Sequence, residues 1–150
     1  MRSADAGAPG TRLAGLGLLV VLLLAPVLAA GQEAGFEFRV TVLHASESGP
    51  VAPEAQRFDR LLRRRVRYQG LRVLQGRTLR VATNDIGRVR LPDGTVFRFR
   101  PIDPTGPGAL VAIDMGRTQG DFRLPAHKPL ILGGAPWKGG QLVVVLELGG

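Results

Sequence analysis

The apolar positions of this chain follow two regimes. From Leu13 to Leu24 they form an almost unbroken run, closed by Ala25-Pro26-Val27-Leu28-Ala29-Ala30-Gly31. Beyond it they come in short periodic groups. Phe36, Phe38, Val40, Val42 and His44 alternate with Glu37, Arg39, Thr41 and Leu43, the period of a strand with one buried face. Within Pro53 to Arg65, Phe58, Leu61 and Leu62 have the i, i+3, i+4 spacing of a narrow helical stripe. Pro53 suits a first helical position and Glu54 a first turn, so this segment is the one predicted helix. A helix so short and so charged depends on docking Phe58 and Leu61 onto the body.

The remainder reads as strands and turns. Val66 to Leu74 forms a strand with a bulge around Gly70, and Thr78 to Ala82 a short one bounded by Gly76 and Asn84-Asp85. Arg88 to Leu91 and Thr95 to Arg100 flank Pro92-Asp93-Gly94, the strongest local hairpin signal in the chain. Strands follow at Ala109 to Met115, Asp121 to Leu124, Pro129 to Leu132 and Gln141 to Leu148. About six to nine short strands and one short helix predict a mainly β domain, a sandwich or small barrel.

The N-terminal run bears on compartment. Arg2 and Arg12 precede it, and Pro26 with the small residues after it fits the end of a secretory signal, cut after Ala29 or Gly31. The rival reading is a retained anchor, because the 18 uncharged residues from Leu13 to Ala30 reach the lower edge of a spanning helix. Orientation is common to both: basic residues lie before the run, and Glu33 and Glu37 after it, which exports the body. The expected organisation is 1–29 signal or anchor, 30–35 polar leader and 36–150 a single β-rich domain, in the periplasm or outside the cell. No cysteine is present to carry a lipid, and no twin-arginine pair precedes the run.

Composition narrows the chemistry. A body of roughly 120 residues can bury about two-thirds of its unfolded surface, so it needs no staple. With no cysteine there is no disulfide, thiolate metal site or cysteine nucleophile. The net charge of +8 is concentrated. Between Arg57 and Arg80 lie nine arginines against one acid, Asp59. Since 18 of the 20 basic residues are arginine, a GC-rich coding sequence is one source of this bias and binding the other.

The candidate binding residues are therefore Arg60, Arg63, Arg64, Arg65 and Arg67. Such a segment attracts anionic lipid, acidic glycan or an acidic envelope protein by screened Coulomb forces. Export removes most nucleic acid from reach, and the aromatic interleaving of nucleic-acid platforms is limited to Phe58 and Tyr68. Trp137 is a secondary candidate: on an exposed tip it would stack on a sugar or dip into a lipid interface, and otherwise it folds over the open end of a sandwich.

Catalytic chemistry is less well supplied. His44 and His127 are far apart, and no spacing draws them together with an aspartate as a metal site. His44, Ser46 and Ser48 lie close in sequence without a nucleophile elbow. Asp85 and Asp93 sit in turns, where aspartate serves the backbone. Gly133 to Gly140 lacks the Gly-Lys-Ser/Thr ending of a phosphate loop. No catalytic residue, metal or cofactor is expected. The leading expectation is an exported, non-enzymatic binding or envelope-accessory domain. The alternatives are an envelope enzyme using His44 with a carboxylate, and a structural subunit that pairs edge strands with copies of itself.

His44-Ala45-Ser46 ending a first strand, the Leu91-Pro92-Asp93-Gly94 turn and the Gly133-Gly134 to Gly139-Gly140-Gln141-Leu142-Val143 hairpin resemble uncharacterised exported β-rich proteins of high-GC bacteria. The likeness spans most of 36–148 and implies only the fold and the compartment. The terminal hairpin also resembles the Gly-Gly hairpins of outer-membrane secretin channels, though the chain is far shorter than those and lacks their repeated modules.

Overall fold

A computed structural model describes residues 35–103 and 105–149; the expected signal segment and most of the polar leader lie outside them. Eight strands form two antiparallel sheets. The first sheet has the order β2-β1-β8-β7, where β1 is Gly35–Ser46, β2 Gly70–Ala82, β7 Leu130–Pro136 and β8 Gly140–Leu148. The second is a meander of β3 (Gly87–Arg90), β4 (Val96–Asp103), β5 (Ala109–Met115) and β6 (Thr118–Leu124). Both sheets are open, with β2, β7, β3 and β6 at their edges, so the architecture is a sandwich and not a closed barrel. Among the described residues no helix is long and apolar enough to cross a membrane.

The inner faces meet in one apolar layer. Phe38, Val40 and Val42 of β1 and Leu142, Val144 and Leu146 of β8 pack there with Phe97, Phe99, Val111 and Ile113 of the second sheet. The rings of Phe38 and Phe99 join the two sheets edge to face, their centroids 4.9 Å apart. The Pro92-Asp93-Gly94 turn closes β3 onto β4 as the sequence predicts. Asp93 accepts from the Thr95 N–H at 2.9 Å, and Gly94 takes φ 89°.

A second, smaller core lies on the outside of the first sheet. Pro53–Ala55 is a single 3₁₀ turn leading into α1, Gln56–Leu62. Ala55, Phe58 and Leu62 pack on Leu43 and Ala45 of β1, Leu71 of β2, and Val143 and Val145 of β8. The predicted helix is thus shorter than Pro53 to Arg65, and Leu62 docks where Leu61 was expected. Ala55 of the 3₁₀ turn joins Phe58 and Leu62, so that the buried positions are 55, 58 and 62. This cover explains why β8 reads Leu-Val-Val-Val-Leu without alternation: Leu142 to Leu146 are buried on both faces.

The expected pair of strands Val66–Leu74 and Thr78–Ala82 is one strand, β2. Its bulge is at Leu74, where the register with β1 slips between Val42 and Leu43. Val73 and Leu79 lie six positions apart and would share a face in a regular strand. The inserted residue puts Val73 in the outer core and Leu79 in the inter-sheet core. Gly70 starts the strand, because a side chain there would strike the Ser46 hydroxyl and the Ser48 carbonyl.

Candidate functional site

The predicted arginines do not behave alike. Arg60 lies on α1, and Arg63 to Arg65 form the turn that ends it, where the helix dipole favours cations. The carbonyl of Leu62 accepts from the N–H groups of both Arg65 and Val66 at 2.8 Å, which fixes that turn. Arg63 is engaged internally. Its Nε donates to Asp59 Oδ2 at 2.9 Å, and its guanidinium lies 5.2 Å from the centre of the Tyr68 ring. The Tyr68 hydroxyl donates to Asp59 Oδ1 at 2.8 Å and lies 3.0 Å from the Asp59 carbonyl.

These contacts move the protonation equilibria. The hydrogen bond from Arg63, then that from Tyr68, holds the Asp59 carboxyl below the usual carboxylate range. Burial, then the hydrogen bond to Asp59, pushes the Tyr68 phenol above its ordinary value. Asp59, the one acid of the arginine window, is therefore occupied by Arg63 and Tyr68. Arg60, Arg64, Arg65 and Arg67 are exposed and enter none of the three ion pairs found among the described residues.

Other arginines of the window have structural positions. Arg57 pairs with Glu147 of β8 at 3.4 Å and lies over the Phe58 ring at 4.2 Å, clamping α1 to the sheet. Arg77 and Arg80 are exposed on β2, an edge strand of 13 residues. Charge on such an edge discourages pairing with another chain.

Trp137 folds back over the sandwich. It packs against the inter-sheet core, and its carbonyl lies 3.1 Å from His44 Nε2. The two rings meet edge-on with centroids 5.0 Å apart. His44 is only 5% exposed. A cleft of about 360 Å³ opens beside it, lined also by Ser46, Ser48, Arg72 and Lys138 and by no carboxylate. His127 lines a different cleft, with Glu37, Arg39 and Glu147. No group of three or more histidines and carboxylates among the described residues is placed to hold a metal.

Two features escaped the sequence. Trp137 and Gly140 exchange backbone hydrogen bonds of 2.9 and 3.1 Å, so Lys138 and Gly139 are the tip of a two-residue hairpin loop. Both have positive φ, 42° and 71°, the condition of a type I′ turn. The hairpin across Gly133 to Gly140 was expected, but its tip was not located, because such a tip normally carries Asn-Gly or Asp-Gly and here a Lys-Gly pair lies inside a glycine-rich stretch. The second is a group of arginines on the outer face of the second sheet, where Arg88 stands directly opposite Arg98. Arg98 in turn pairs with Asp114 at 3.5 Å. Compared with protein-family models, with curated proteins and with solved structures, the chain matches none.

Proposed function

We propose that this is an exported, non-enzymatic binding or envelope-accessory domain whose α1 end, Arg60, Arg64, Arg65 and Arg67, takes an anionic partner. The observation that carries this reading is that those four exposed side chains enter no ion pair among the described residues, while the nearby Asp59 is held by Arg63 and Tyr68. Cations not neutralised by the fold retain their long-range field, which is what draws lipid headgroups, acidic glycans or an acidic protein face. Arg63 supports the site by holding the turn and is not itself a contact.

The test is salt. Retention of the full chain on a sulfated glycan matrix is expected to fall steeply between about 50 mM and about 500 mM salt, as the screening length shrinks. Reversing the four charges (Arg60→Glu, Arg64→Glu, Arg65→Glu, Arg67→Glu) should remove retention and leave the fold intact. Salt-independent binding, or binding that survives the reversal, defeats the reading.

A further inference from the structure

We infer that the cleft beside Trp137 is a phosphate-binding site, in which Arg72 and Lys138 clasp the anion and Ser48 donates to it. It is separate from the α1 arginines and does not rest on them.

The cleft is built from three strand ends. β1 contributes His44 and Ser46, β2 contributes Arg72, which stands directly opposite His44 in the register, and the β7–β8 tip contributes Lys138 and Gly139. The Ser46 hydroxyl is spent on the Ser48 carbonyl at 2.7 Å, which pins the loop after β1. The Ser48 hydroxyl makes no side-chain hydrogen bond among the described residues and lines the cleft. Two full cations and a hydroxyl thus converge on about 360 Å³ of concave space, with no lining acid and no ion pair to either cation among the described residues. A guanidinium fork with a lysine point charge is the donor set that suits a phosphate group.

Backbone strain gives a second, independent reason. Lys138 takes φ 42° at a position that the turn would fill better with glycine, asparagine or aspartate. A lysine retained in the left-handed region against local preference marks a position where the side chain has another use. Its Nζ lies 4.7 Å from the centre of the Trp137 ring, a cation–π contact from which it can swing onto an anion. Since the chain has one tryptophan, its emission reports on the Lys138 ammonium that lines the cleft.

The experiment is a titration of the full chain with inorganic phosphate at constant ionic strength. It is followed by tryptophan emission and, independently of the ring, by equilibrium dialysis of labelled phosphate. A saturable response is expected, weakened about tenfold or more by Arg72→Gln. Lys138→Gly should weaken binding similarly while raising the melting temperature, because glycine relieves the turn. A variant that binds less and melts higher separates a ligand site from mere structure. Arg88→Gln with Arg90→Gln, exposed on the outer face of the second sheet, should leave the response unchanged. A sugar phosphate run alongside distinguishes sources: tighter binding than inorganic phosphate assigns the site to a phosphate ester, equal or weaker binding to the free anion. A non-saturating response that is the same in wild type and Arg72→Gln overturns the site, as does binding that Arg72→Gln leaves unaffected and Arg64→Gln with Arg65→Gln removes.

Discussion

The Nε2 of His44 lies 3.1 Å from the carbonyl oxygen of Trp137, 93 residues further along the chain. This contact ties the middle sheet strand β1 to the β7–β8 tip and closes one end of the sandwich. The Trp137 carbonyl also accepts the Gly140 N–H, so it keeps a partner when the imidazole is lost. His44→Ala is therefore expected to cost about 2 to 3 kcal/mol, from one hydrogen bond and a partly collapsed cavity. Urea unfolding followed at Trp137 measures it, and a loss under about 0.5 kcal/mol would mean that the ring does not hold the tip.

The bulge at Leu74 makes a sharper prediction. Leu74→Ala removes a half-buried side chain and should cost about 1 to 2 kcal/mol. Deleting Leu74 should cost little more than the substitution, because Val73 still pairs with Leu43 and Gln75 with Val42, and Val73 and Leu79, now five positions apart, keep their opposite faces in a regular strand. Comparison of the two denaturation midpoints tests this. A deletion that costs more than about 4 kcal/mol would show that the sheet needs the bulge itself and not only the faces it sets.

Asp59 and Tyr68 give opposite pH dependences. The depressed Asp59 carboxyl contributes stability that is present above its unfolded value near pH 3.9 and is lost as pH falls through the lower folded value. The raised Tyr68 phenol contributes stability that is present below its unfolded value near pH 10 and declines as pH rises above it. The chain has one tyrosine, so ultraviolet titration of phenolate reads Tyr68 alone. Ionisation well above pH 10 is expected for the folded protein. Asp59→Asn should bring it down towards the ordinary value, and an unchanged titration would remove Asp59 as a contributor.

The long edge of β2 is the place where copies of the chain would pair if its charges were removed. Arg77→Val with Arg80→Val should convert a concentration-independent mass into one that grows with concentration, as sedimentation at up to about 100 µM would reveal. If the unaltered protein already self-associates through β2, the charges are not protective and the structural-subunit reading returns.

Alternation, turn chemistry and glycine placement are local properties, and they determined most of the strands from sequence. Ala109–Met115 and the Pro92-Asp93-Gly94 hairpin stand where the pattern put them. Clustering of arginine was equally plain. What only the tertiary structure decided is what depends on a second element arriving from elsewhere. The shift from Leu61 to Leu62 follows from the sheet face that α1 meets. A one-residue insertion in β2 is invisible until its partner strand supplies a register. The division of the arginines into those in ion pairs, those on the β2 edge and those outside any ion pair among the described residues depends on where Glu147, Asp59 and the sheet edges lie. Arg72 and Lys138 share a cleft because β1 pairs on one side with β2 and on the other with β8. Those pairings are long-range contacts, which no local period encodes.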